Sequence, residues 1–540
     1  GSDGVVAFSH GGNITLSPLT AGGTLELTAN GENTYAFYHQ KGGGNIAGKI
    51  KINGTINANV KNGGIGLHYT GTGVTAAPVN LGTELAAIID SSGGTLNIIT
   101  DSNSYNLTLK NTTVNLSNLS NLNFDNVTFT PDAKTKMYDG GLFVDIDSNI
   151  DKNNNTGSKA YRNTGMSASN VTVNSGITIT GTENSLTAVG QDFSDIVRWG
   201  ELANKGTISL SGDESTGIYG KKSTIENTGS INLPGKDTTA IYSVDSSVKN
   251  TGEIKTGDKG VGIYSEIDPY SFAILTVEND GKIEAGTGTG AVGIYSVLKN
   301  TNIPYYNHET ILNTNSDIDM RKSQNSVGIY SIDRNVSGTD SGKISIGKDS
   351  YGVYVNNGDV SLNNLTLNIS GDNSVGIYTN GTGSFSGNGT VNVDGKGIVI
   401  LNIESTGTYN QNFVVNSTAG SSYIFQNLKN RTLISNNTVN LGEGGTYINA
   451  VDSNVTLDIN SDLNSFNTAT GNYDSRMIGA VSSGGTGSIT NKGIISFGDE
   501  SAGLYARDGG QIINEGSISL GVNSVGLYGE GTGPILPIIF

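Results

Sequence analysis

The chain has 540 residues, of which 78 are glycine, 8 are proline and none is cysteine; 31 basic against 48 acidic side chains leave a formal charge of −17. Charged residues are only 15% of the total, against about 25% in an average soluble domain, so polarity rests on Asn, Ser, Thr and Gly. That mix excludes a coiled coil, a helical solenoid and a disulfide-stapled scaffold, and the seven arginines, scattered from Arg162 to Arg507, exclude a clustered phosphate-binding face, so no nucleic acid is a predicted partner.

Without cysteine there is no disulfide, thiol nucleophile or thiolate metal site. No apolar run is long enough to predict a membrane-spanning helix. Gly1-Ser2-Asp3-Gly4 lacks the basic and apolar regions of a signal peptide, and the chain stops abruptly on Pro534-Ile535-Leu536-Pro537-Ile538-Ile539-Phe540. Both ends are those expected of a segment excised from a longer protein.

Taken in chain order, residues 1–100 read as loose coils of strand and turn, with Ala36-Phe37-Tyr38 as the first copy of a recurring triplet. Residues 101–200 keep strand-like runs at 113–116, 126–129 and 171–179 but lose the register, and 145–165 is a polar run expected to form an exposed loop. From 200 to 400 the coils become regular. A Gly/Ala-aliphatic-Tyr triplet ends at Tyr219, Tyr242, Tyr264, Tyr295, Tyr330, Tyr354 and Tyr378, with steps of 23, 22, 31, 35, 24 and 24 residues. The two long steps place insertions near 266–275 and 297–312. Residues 401–480 are irregular again and carry Phe413, Tyr423, Phe425, Phe466 and Tyr473; 485–530 return to the period, with Tyr505 and Tyr528. Seven residues before the tyrosine a glycine recurs, and twelve to fourteen before it an Asn-x-Gly-x-Ile element, as in Asn204–Ile208, Asn227–Ile231 and Asn250–Ile254.

One such unit holds about three short strands separated by turns, with Ile231 and Leu233 alternating with polar neighbours. The recurring glycine is expected to supply a positive φ at the turn. A unit of this size cannot bury its own apolar face and must stack on copies of itself. The predicted fold is therefore all-β: a single right-handed parallel β-helix over 1–540, with 22–24 residues per coil and protruding insertions. Equivalent residues then form ladders along the axis: aliphatic ones inside, and Asn amides chained at the turns, where stacked like charges would repel.

The Asn-x-Gly-x-Ile, turn-glycine and Val-Gly-Ile-Tyr pattern resembles the passengers of large fusobacterial type V autotransporter adhesins, over about half of the chain. The resemblance implies a virulence-associated passenger displayed on the bacterial surface and anchored in the outer membrane by a barrel that this sequence lacks, with roles in coaggregation and cell adhesion. Its implied partners are host-cell or bacterial surface glycans, galactose-type among them, or protein and immune-cell receptors. The passenger is expected to be monomeric, to need no cofactor and to hold no metal.

Several side chains invite chemistry. Asp213-Glu214 and Asp499-Glu500 resemble the carboxylate pairs of glycosidases, but both occupy the same Gly-Asp-Glu-Ser turn, so a turn signal is the expected role. The oxygen ligands of 145–155 alternate without the Gly and Glu positions of a twelve-residue calcium loop, and a solvated loop is expected. His10, His39, His68 and His308 have no neighbours at zinc-ligand spacing. No enzyme is expected, with a polysaccharide-degrading β-helix and a purely structural stalk as the alternatives.

Binding is the better-supported expectation. The insertions carry Tyr270, Phe272, Tyr305, Tyr306 and His308, which either fold back on the rod or present rings to a ligand. In Val-Gly-Ile-Tyr, strand parity puts Val with Ile on the core face and Gly with Tyr outside. Tyr264, Tyr295 and Tyr330 should then form an outward ladder, serving rigidity or offering a strip to sugars.

Overall fold

The structure, a computed structural model, describes residues 4–531 apart from 11, 33, 41–47, 72–80, 102–103, 111, 116–126, 130–133, 138–141, 148, 152–169, 193–199, 268–273, 300–307, 406–408, 418–422, 428–430, 436–438, 441–444, 451–454, 460–461, 468–469 and 484–487. It contains two compact units, one of Gly1–Leu233 with Ile241–Ser246 and one of Pro234–Ala240 with Ser247–Phe540. Each is an all-β stack in which short strands pair in parallel with their counterparts one coil later, the arrangement of a parallel β-helix. Among the described residues one short helix occurs, Leu81–Ala86, and no helix is long and apolar enough to cross a membrane.

In the first unit a parallel sheet runs through Gly4–Ser9, Thr34–Gln40, Ile65–Thr70, Tyr105–Lys110 and Lys134–Met137. Gly4 pairs with Thr34 and Ile65 with Tyr105, so these coils take 30 and 40 residues. Farther on the coils tighten: Leu202 pairs with Val171 behind it and with Ile225 ahead, at 31 and 23 residues. All three of those side chains are buried.

The second unit consists of three such columns. One passes through Val261–Ile267, Val292–Leu298, Val327–Ile332, Tyr351–Asn356 and Val375–Gly381. Another stacks Ile254, Ile283, Ile318, Ile344 and Leu367 in register, each essentially inaccessible to solvent. Burial of one such side chain contributes about 1.5–3 kcal/mol, so a narrow core built one ladder at a time suffices. Where 360–369, 385–393 and 409–417 run as long strands, rings join the core: the Phe385 ring centroid lies 6.3 Å from that of Tyr409 and 6.2 Å from that of Phe413, and all three are buried.

The corners differ from expectation in an instructive way. Positive φ falls five residues before the tyrosine, at 55° for Glu214, 54° for Asp237, 51° for Lys259, 49° for Asn325, 54° for Asp349, 56° for Asn373 and 55° for Glu500. The recurring glycine two residues earlier takes the expected positive φ at Gly31 and Gly288, 110° and 156°, but in the other coils it has another task. A Cβ on Gly257 would sit 2.2 Å from the Pro234 carbonyl oxygen, and one on Gly371 2.2 Å from the Lys348 nitrogen. It lets adjacent coils touch. The left-handed residue turns its N–H along the stack: Asp349 donates to the Asp372 carbonyl at 2.9 Å and Asn373 to the Lys396 carbonyl at 2.8 Å.

The Asn-x-Gly element forms the expected amide chain, but inside rather than on the surface. Asn204 Nδ2 donates to Asn227 Oδ1 at 2.7 Å, Asn250 to Asn279 at 2.7 Å and Asn491 to Asn514 at 2.8 Å. Asn204, Asn227, Asn250, Asn279 and Asn491 have no exposed surface. Buried amides are tolerated because their donors and acceptors are satisfied along the axis.

Candidate binding surfaces

The tyrosines do point outwards and do stack. Ring centroids are 5.0 Å apart for Tyr264–Tyr295 and Tyr295–Tyr330, 4.8 Å for Tyr330–Tyr354 and 4.7 Å for Tyr354–Tyr378, with planes within 19° of parallel. Each ring is half-buried. The parity argument behind this expectation is corrected, however. Val261, Val292, Val327 and Val375 are half-exposed, while Gly262, Gly293, Gly328 and Gly376 are buried beside their isoleucines. The pairing passes from Val261↔Val292 to Ile263↔Ile294 with its register unchanged, and there the in–out alternation breaks, so that Gly and Ile are both inside. A Cβ on Gly293 would lie 2.5 Å from the Gly328 carbonyl oxygen, which no larger residue permits.

Stacking also changes what the ladder offers. The rings cover one another's faces, leaving edges and hydroxyls outside. Tyr264 donates to Glu266 Oε2 at 3.1 Å, and Glu266 is ion-paired with Lys299. Burial, then the hydrogen-bonded carboxylate of Glu404, hold the Tyr378 phenol well above its ordinary range.

Of the insertion residues, Tyr270, Phe272, Tyr305 and Tyr306 lie outside the described residues. His308 is described, and it is not a surface group. It is 6% exposed, and its Nδ1 accepts the Leu275 N–H at 3.2 Å. It directly precedes the strand Glu309–Leu312, whose pairing with Thr276–Asn279 draws it into the stack. Burial, with the nearby Arg334 guanidinium second, lowers its pKa to about 4. The other histidines are dispersed within the first unit. His68 bonds to Thr108 and Thr70 at 2.6 and 2.9 Å, His39 stacks on Tyr69 and His10 is exposed. The second half of the 145–155 oxygen run lies outside the described residues, and no group of three metal-ligating side chains occurs among the described ones.

The two Asp-Glu pairs are corner residues. Glu214 accepts from Ser185 Oγ at 3.1 Å, and Glu500 from Arg476 Nε at 3.2 Å. Asp499 Oδ1 takes the Val522 N–H of the next coil at 2.6 Å. Their carboxylates bind coil to coil.

A feature that sequence reasoning passed over is a small hairpin. Asn464 pairs with Ser496, a step of 32 residues, and the surplus leaves the stack. Phe466–Asn467 and Asn472–Tyr473 form the one antiparallel ladder among the described residues. Phe466 and Tyr473 are 42% and 47% exposed, with centroids 5.4 Å apart edge to face. Asn467 Nδ2 bonds Asp474 at 3.1 Å, and Gly471 turns the chain at φ 70°. The available signal was Gly471-Asn472 between aromatics in a stretch that lacks the coil markers. No family model matches the chain, and no curated protein or solved structure is significantly similar to it.

Proposed function

We propose that this chain is a non-enzymatic region of an extracellular, autotransporter-type adhesin, which holds contact segments on a stiff β-helix and attaches to surface glycans or protein receptors. The observation that supports it most is the antiparallel pair of Phe466–Asn467 with Asn472–Tyr473. It is an excursion that the coil does not need, and it keeps two aromatic side chains in water at an entropic and hydrophobic cost. Rigid scaffolds with recognition on their excursions are a general solution to binding, and rings with polar neighbours suit a sugar or a protein surface.

The test is a glycan array and a cell-binding assay on the whole chain, wild type against Phe466→Ser with Tyr473→Ser. The wild type should retain glycans or cells. The double variant should lose at least about tenfold in affinity, a loss of roughly 1.4 kcal/mol, with an unchanged circular dichroism spectrum. A wild type that binds nothing sinks the proposal. A stalk holding a distal tip is the second reading, favoured by ring faces spent within the tyrosine ladder, and it predicts that blank array.

A further inference from the structure

Six asparagines of the chain are followed by glycine: Asn30, Asn53, Asn62, Asn357, Asn380 and Asn388. Glycine leaves its own backbone nitrogen unshielded by any Cβ, so that nitrogen can reach the amide carbon of the preceding side chain and close a five-membered ring. Folding decides which pair is free to do so. Asn62 Nδ2 donates to Asn30 Oδ1 at 2.7 Å, which ties both amides across coils. Asn388 is tied at both ends, its Nδ2 donating to Asn363 Oδ1 at 2.7 Å and its Oδ1 accepting the Asn364 N–H at 2.8 Å.

Asn380 is held differently. Its side chain folds over its own following peptide, where the Gly381 N–H donates to Asn380 Oδ1 at 2.7 Å. Cγ carries that oxygen, so the nitrogen and the carbon it would attack are kept as a near-attack pair. The carbonyl oxygen of the same peptide unit accepts the Asn357 N–H at 2.9 Å, a bond that stabilises the anion formed when the Gly381 nitrogen loses its proton. Gly381 takes φ 89°, and both residues are half-exposed, within reach of water and hydroxide. We infer that Asn380 is a site of self-modification, deamidating through a succinimide. Hydroxide removes the Gly381 amide proton, the nitrogen's electron pair bonds to Cγ, and the side-chain nitrogen takes a proton from water and leaves as ammonia. Water then opens the ring at either carbonyl, giving aspartate or isoaspartate. The new carboxylate faces Glu404, the register partner of Asn380 on the next coil, and like charges directly opposite are destabilising. The isoaspartate product also adds a methylene to the backbone of the strand Val375–Gly381. This chemistry is independent of any adhesive role.

Incubating the whole folded chain at mildly alkaline pH, followed by peptide mapping with mass spectrometry, tests it. Conversion of amide to acid at Asn380 should run at least about tenfold faster than at Asn62 and at Asn388, a barrier lower by about 1.4 kcal/mol. Labelling by an isoaspartyl methyltransferase should find isoaspartate among the products at that position. In urea the three rates should converge, because glycine follows each asparagine and only the fold sets them apart. A folded rate at Asn380 that does not exceed the other two by that factor overturns the inference, as does the same preference in urea.

Discussion

Asn279 has its whole amide engaged: Nδ2 donates to the Gly281 carbonyl at 3.0 Å and to Ser316 Oγ at 2.6 Å, while Oδ1 accepts from Asn250 at 2.7 Å. Asn279→Ala strands buried partners on both sides. Each orphaned group costs about 1–3 kcal/mol, so chemical denaturation should show a loss of roughly 2–4 kcal/mol. Asn279→Asp should cost more at pH 7, because it also buries a charge. His308 sets a second test at this scale. Its pKa is about 4 when folded and near 6.5 when unfolded. Between those values the unfolded chain holds a proton that the folded chain refuses. Stability should therefore fall as pH drops from 6.5 to 4, by up to roughly 3 kcal/mol. Melting curves of His308→Asn against pH should lose most of that slope. Nothing in the sequence marked either environment. Asn279 was legible as part of a repeat but not as buried, and His308 looked like a loop residue because strand pairing, not composition, turns it inwards.

At the scale of the element, the tyrosine ladder and the ionic column are the informative features. Tyr330 stacks on Tyr295 and Tyr354, and each offset pair adds about 0.5–1.5 kcal/mol. Tyr330→Ala should lower stability by roughly 1–3 kcal/mol, and Tyr330→Phe should be nearly neutral; denaturant titration of both variants checks this. Charges are not merely avoided on the neighbouring face. Glu253, Lys282, Asp317 and Lys343 are successive register partners, and Lys282 and Lys343 lie 3.8 and 3.0 Å from their acidic neighbours. Alternation makes charge compatible with stacking. Lys282→Glu would place three acids in file, and should cost roughly 0.5–1 kcal/mol at low salt, much less in 0.5 M salt, in line with exposed cross-strand pairs. The strand pattern revealed the aliphatic ladders but not the break of alternation at Val-Gly-Ile. A glycine carries no hydrophobic signal, so a break of parity at that position is silent in sequence.

At the scale of the whole molecule, periodicity carried the fold. Tyrosine, turn glycine and Asn-x-Gly-x-Ile recur at a spacing that only stacked coils satisfy, and their strands pair in parallel as expected. What escaped was the corner, whose left-handed residue is Glu, Asp, Lys or Asn in turn. A non-glycine residue accepts that conformation at a cost of about 1–2 kcal/mol, and the axial hydrogen bond it makes offsets it; identity alone cannot reveal the site. The contact surfaces were the least legible, because excursions follow no period. Burial along the second unit is uneven: Ile344, Val353 and Ile377 are fully covered, whereas Ile512, Ile518 and Leu527 are half-exposed. Hydrogen exchange should find the first three amides slower by at least about 100-fold. Equal rates throughout would mean that the coils open together rather than singly.

The axial hydrogen bonds of the left-handed corners have a further consequence. Each finished coil displays, at fixed positions, the donors and acceptors that its successor requires, so it serves as a mould for the next. Growth by one coil asks for backbone pairing only with the coil beneath, and not with a distant part of the chain. Such a polymer can crystallise progressively from a single seed, adding one layer at a time. Its length is then free to change by whole layers while every layer keeps the same surroundings.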